Sequence, residues 1–203
     1  MLDFFQMVLH IDQTLGVWVQ QYGVWVYLVL FLIVFAETGL VVLPFLPGDS
    51  LLFIAGAFGA TGSLDPVLLG ALLIVAAITG NSVNYAIGRY IGPRVFSMNL
   101  RFLDRGALMR THAFYEKHGG KTIVMSRFIP VVRTFAPFVA GVADMPLSRF
   151  QLFNILGALL WVVSLVAAGY FFGNIPPVEE HLNTIVLIGL AAAIVPVVGA
   201  ALF

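Results

Sequence analysis

Four stretches of this chain, 13–36, 66–88, 150–178 and 182–203, contain no Asp, Glu, Lys or Arg. Each exceeds the roughly 20 residues that a helix needs to cross about 30 Å of hydrocarbon. That is the strongest constraint on the fold, because it calls for an all-α polytopic membrane protein. Composition agrees: 61% of the 203 residues are hydrophobic and 10% are charged, where a soluble domain carries about 25% charged residues.

Two interruptions stand against this background. Glu37-Thr-Gly-Leu-Val-Val-Leu-Pro-Phe-Leu-Pro-Gly-Asp49 sets two acids around Pro44, Pro47 and Gly48. Arg127-Phe-Ile-Pro-Val-Val-Arg133 sets two arginines around Pro130. A charge near the bilayer centre costs roughly 2.5–3.5 kcal/mol, so four standing alone would cost on the order of 10–14. Mutual pairing or a water-filled site must offset that.

The apolar stretch 50–60 after the first interruption is too short to span. A segment that enters, breaks and turns back is expected over 37–60. On an unbroken helix Arg127 and Arg133 would lie about 240° apart. Pro130 removes an amide donor and frees the Ser126 carbonyl, and a break there lets both guanidiniums converge. Pro137 and Gly141 supply a further interruption, so a second re-entrant region is expected over 122–142. The two interruptions fall in corresponding halves, each followed by a long apolar helix, which is the pattern of inverted repeats with a midplane site.

The rest of the chain frames these regions as one domain over 1–203. Residues 1–17 suit a helix lying at the interface, and Asp3, His10 and Asp12 argue against a cleaved leader. Gly62-Ser63-Leu64-Asp65-Pro66 reads as a turn and helix start, with that helix ending near Arg89, Gly92 and Pro93. The region 93–121 holds Arg94, Arg101, Arg105, Arg110, Lys117 and Lys121 against Asp104 and Glu116, which marks it as cytoplasmic. Formal net charge is zero, so no global field invites nucleic acid. Cysteine is absent, which excludes disulfides and thiolate chemistry.

Guanidinium forks match phosphate and carboxylate oxygens, so Arg127 and Arg133 are expected to bind an anion. Glu37 and Asp49 would serve as counter-ions and proton acceptors: protonating one acid frees arginine charge for the substrate. The alternative is a pair of buried salt bridges with no ligand. Asp49 or Ser50 also suits the cap of the next helix. Asn81, Asn84, Tyr85 and Gly88 share one helix face and either line a polar path or join helices as packing residues. His118 suits the membrane surface, and Trp161 suits helix packing or lipid contact. No metal-ligand spacing, phosphate-binding lysine loop or catalytic triad is visible, so neither cofactor, metal nor enzyme activity is expected.

Several of these segments together resemble one family. They are Glu37-Thr-Gly, Phe45-Leu-Pro-Gly-Asp49-Ser, Asn84-Tyr-x-Ile-Gly-Arg89 and His118-Gly-Gly-Lys. Arg127-Phe-x-Pro-x-Val-Arg133-Thr-Phe-Ala-Pro-Phe-Val-Ala-Gly141 and Asn154-x-x-Gly-Ala-x-x-Trp161 complete the set. In this order they resemble the DedA family of bacterial inner-membrane proteins, over nearly the whole chain. The resemblance implies two re-entrant hairpins, one carrying acids and the other arginines. It also implies proton-motive-force-dependent transport of undecaprenyl phosphate back across the inner membrane for cell-envelope synthesis. Glu37, Asp49, Arg127 and Arg133 match the family's important charged positions. Asn81 departs from it, since similar members often have aspartate there. The expected partners are the bilayer and an anionic polyprenyl phosphate or phospholipid. A proton-coupled small-ion antiporter and an intramembrane lipid phosphatase are the other readings.

Overall fold

A computed structural model describes residues 22–40, 48–97, 119–173 and 175. They form six helices: α1 (Trp25–Gly39), α2 (Gly48–Ala60), α3 (Pro66–Ser97), α4 (Lys121–Ser126), α5 (Pro130–Val142) and α6 (Leu147–Phe172). No strand occurs among the described residues. The expected interfacial helix 1–17, Pro44, Pro47, most of the basic loop 93–121, His118 and the apolar window 182–203 lie outside them.

Among the described residues two helices are long and apolar enough to cross a bilayer: Pro66–Gly92 within α3, 27 residues, and α6, 26 residues. Asp65 starts α3. Its Oδ1 accepts from the amides of Val67 and Leu68 at 2.8 and 2.9 Å, so a side-chain cap precedes a proline at the first helical position. Gly62 supplies the left-handed turn before it (φ +78°). At its other end α3 runs past Pro93 to Ser97, beyond the stop expected from sequence. A proline lacks the amide that would bond the carbonyl four residues back, and that one lost bond does not by itself end a helix.

The chain divides into two compact units. The first comprises 1–34, 45–76 and 161–203. Here α2 packs on the second half of α6, backbone against backbone: a Cβ on Gly169 would collide with the Phe53 carbonyl, and one on Gly56 with the Val166 carbonyl. Small residues let helices approach this closely in lipid, where packing rather than the hydrophobic effect joins them.

The second unit comprises 35–44 and 77–160. Its apolar core gathers Tyr85, Ile123, Ala136, Ala140, Ala143, Met145 and Phe150, with the Tyr85 and Phe150 rings stacked at 4.3 Å between centroids. Within this unit Leu152, Ile155, Leu156, Leu159 and Leu160 of α6 are exposed. On a soluble protein such a run of large apolar side chains would be a liability; on a spanning helix it is the lipid face.

Candidate functional site

The site residues of the second unit are positioned by the break between α4 and α5. At Arg127, Phe128 and Ile129 the amides donate three residues back, to Val124, Met125 and Ser126. The carbonyl that Pro130 deprives of its usual donor, Ser126 O, is thereby satisfied by Ile129 N at 3.0 Å. Ile129 is extended (φ −117°, ψ 107°), and Pro130 then occupies the first turn of α5. The proline thus ends one helix and starts the next, leaving Arg127 in the break and Arg133 in the first turns of α5. Pro137 sits inside α5 without ending it.

Both arginines are buried, at 3% and 9% exposure, yet they are held differently. Arg133 forms a buried ion pair with Glu37, through Nη2 and Oε1. Glu37 lies near the end of α1 and is only 2% exposed. Arg127 reaches α6 and α3. Its Nη2 donates to Asn154 Oδ1 at 2.7 Å and, at 3.4 Å, to the carbonyls of Asn154 and Ala77.

The polar face of α3 ties these elements together. Asn84 Nδ2 donates to the carbonyls of Thr38 at 3.1 Å and Thr134 at 2.8 Å. Those residues directly follow Glu37 and Arg133, so one amide clamps the backbone beside each member of the ion pair. Thr38 is in the last turn of α1, where carbonyls lack intrahelical donors; Asn84 fills that need. Asn81 Nδ2 donates to Asn154 Oδ1 at 3.2 Å. Tyr85 donates its hydroxyl to the Met145 carbonyl and accepts from Arg89 Nη1 at 3.1 Å. Asn81, Asn84 and Tyr85 are all buried, and each joins α3 to another element.

In the first unit, Asp49 stands in the first turn of α2, one residue inside its start at Gly48. It is therefore not the cap that the sequence suggested. There a carboxylate still meets the positive end of the helix dipole. Its Oδ1 also accepts from Trp161 Nε1 of α6 at 2.8 Å.

A VTT domain model matches residues 46–171, more than half of the chain. Protein DedA of Escherichia coli is 52% identical over 199 residues, covering 97% of this chain and 90% of that protein. The chain belongs to the VTT-domain (DedA) family. An uncharacterized membrane protein of Mycobacterium leprae is 42% identical over 170 residues, covering 83% of this chain and 76% of its own. The inner membrane protein YqjA of Escherichia coli is 41% identical over 151 residues, with 74% and 69% covered. No solved structure matches the chain.

Family membership makes this a multi-pass protein of the bacterial inner membrane. Asp49, Arg127, Arg133, Asn154 and Trp161 lie inside the VTT match, whereas Glu37 precedes it. Sequence reasoning missed Asn154 and Trp161 as polar partners of the charged residues. The signal was present in the spacing Asn154-x-x-Gly-Ala-x-x-Trp161. Residues seven apart on a helix share a face, and a buried indole or amide needs a hydrogen-bond partner. Among the described residues no group of His, Asp and Glu is arranged to hold a metal.

Proposed function

We propose that the protein transports a lipid phosphate across the bacterial inner membrane, driven by the proton-motive force, and that it is a transporter rather than an enzyme. Undecaprenyl phosphate, the carrier recycled for cell-envelope synthesis, is the substrate this reading names. Re-entrant segments over 37–60 and 122–142 would carry the headgroup while the polyprenyl tail stays in lipid.

The observation that carries the proposal is the buried Arg133–Glu37 pair, in the same unit as the buried Arg127. An ion pair inside a membrane protein is a neutral resting state. An incoming phosphate competes with the Glu37 carboxylate for the Arg133 fork, which matches either group. Glu37 then takes up a proton, because a carboxylate displaced from its cation inside the protein is costly to keep charged. Release of that proton on the other side lets Glu37 reclaim Arg133 and expel the phosphate. A cation substrate fits this arrangement poorly, since two buried guanidiniums repel it.

The test is translocation of a fluorescent polyprenyl phosphate by the purified protein in phosphatidylethanolamine–phosphatidylglycerol vesicles. Arg127→Ala and Arg133→Ala are expected to abolish movement while the protein stays folded. Glu37→Gln is expected to flatten the dependence on pH. Normal translocation in both arginine variants would overturn the proposal.

A further inference from the structure

Arg127 is held by a short stretch of α6 that does two separate things for it. Asn154, fully buried, gives the guanidinium a hydrogen bond of 2.7 Å from Nη2 to Oδ1. Gly157, one turn later on the same face, leaves room for the stem. A Cβ there would sit 3.0 Å from both Cδ and Nε of Arg127 and 3.3 Å from the Cα of Val124. A side chain there would oblige the Arg127 stem or Val124 to give by a few tenths of an ångström.

The Asn154 amide is itself fixed. Its oxygen accepts from Arg127 and from Asn81 Nδ2 at 3.2 Å. Its nitrogen faces the Ile78 carbonyl at 3.1 Å, Gln151 Oε1 at 3.2 Å and Ser82 Oγ at 3.4 Å. Ser82 in turn donates to the Ile78 carbonyl at 2.6 Å and accepts from Gln151 Nε2 at 2.8 Å. Turning the amide over would set its NH2 against two donors and its oxygen against two acceptors. The network therefore aims an oxygen, and only an oxygen, at Arg127. An amide oxygen orients a guanidinium without cancelling its charge.

We infer that Asn154 and Gly157 form a cradle that positions Arg127 for the phosphate of the substrate, with Asn81 fixing the Asn154 amide. This inference rests on the lipid-phosphate reading and assigns Asn154 and Gly157 as positioning residues for it. The cradle aligns the fork before the phosphate arrives, so its loss weakens capture more than it slows movement of bound substrate.

The experiment is saturation kinetics of polyprenyl phosphate translocation, in the same vesicles, for the full chain carrying Asn154→Ala or Gly157→Ala. Asn154→Ala is expected to raise the half-saturating concentration about tenfold or more, the scale of one hydrogen bond to a charged group, and Gly157→Ala to raise it by less, since it shifts the Arg127 stem and removes no donor or acceptor. The maximal rate per folded transporter is expected to stay within about twofold, since a positioning loss falls on binding. A purely structural role would lower the folded fraction and the maximal rate while leaving half-saturation where it was, and that result would overturn the cradle. Gly157→Ala adds one methyl and leaves the Asn154 side chain itself unchanged, so it decides the question if Asn154→Ala does not fold. Arg127→Ala run alongside separates the two claims. Normal transport there sinks the cradle, and normal transport in Arg133→Ala as well sinks the phosphate reading, whereas loss in Arg127→Ala with wild-type saturation in both α6 variants sinks only the cradle.

Discussion

Arg127 and Arg133 stand on either side of one proline, both buried, and their environments differ in kind. Arg133 faces the carboxylate of Glu37. Arg127 has an amide oxygen and two backbone carbonyls among its partners. A carboxylate partner can be protonated or displaced, so Arg133's charge is one that can be switched. An amide cannot titrate, so the Asn154 bond to Arg127 is fixed. The same residue type thus supplies a movable element and a standing one within a few residues of chain.

The largest expected effect breaks the movable side. Glu37→Ala leaves the Arg133 guanidinium buried without that carboxylate, and removing one partner of a buried pair costs about 3–5 kcal/mol. Thermal unfolding in detergent should show it, with Glu37→Gln milder because it keeps an acceptor. Adding Arg133→Met to Glu37→Ala should recover much of the loss, since an apolar replacement of a whole pair is often tolerated. A Glu37→Ala protein as stable as the wild type would mean the pair is not what holds α1 to α5.

The next prediction makes Arg127 resemble Arg133. Asn154→Asp keeps an oxygen at the guanidinium and adds a negative charge beside it. Half-saturation for a polyprenyl phosphate should then rise further than in Asn154→Ala, on the order of a hundredfold, as a charged bond of up to about 3 kcal/mol must be broken for the phosphate to enter. Equal values for the two variants would show that the charge, as distinct from the alignment, of Arg127 does not matter.

This contrast was only half legible in the sequence. Charge-free windows announce spanning helices because hydrocarbon tolerates little else, and Pro130 hints at a break because it lacks an amide donor, although Pro93 and Pro137 sit inside helices. Those are local rules. Which acid meets which arginine is not local: Glu37 and Arg133 are ninety-six positions apart. No periodicity distinguishes Glu37 from Asp49 as the partner. Asp49 instead shows Trp161 as a partner, on the second half of α6. Asn154 hid for another reason. An amide on an apolar helix reads as ordinary packing until the structure shows Arg127 against it, with Gly157 clearing the space beside it.

A neutral bond in the same unit gives the next step down. Tyr85→Phe keeps the ring stacked on Phe150 and removes only the hydroxyl, which bonds the Met145 carbonyl and Arg89. The Met145 carbonyl would lose a donor, a change worth about 1–2 kcal/mol. Thermal unfolding should place this variant between Glu37→Ala and any change at the exposed ion pair below. A cost matching Glu37→Ala would mean that charge contributes nothing special to the buried pair.

The smallest effect belongs to a third arginine. Arg89 pairs with Asp144 at 3.2 Å, but their side chains are 50% and 76% exposed. Arg89 stands near the end of the span Pro66–Gly92, where the pair is expected to meet water and be worth about 0–1 kcal/mol. Arg89→Gln should therefore cost little, and the cost should shrink further in high salt as the Debye length falls to about 3 Å at 1 M. Asp144 adds a distinguishing feature, because it is the one non-glycine residue with positive φ among those described (φ 53°). Asp144→Gly removes the same ion pair but relieves a left-handed conformation that costs a non-glycine residue roughly 1 kcal/mol. It should be no more destabilising than Arg89→Gln, and at high salt the glycine variant should be the more stable of the two. If Asp144→Gly proves the worse by more than about 1 kcal/mol, the exposed pair is stronger than its exposure allows. Burial would then not be what separates Arg133 from Arg89.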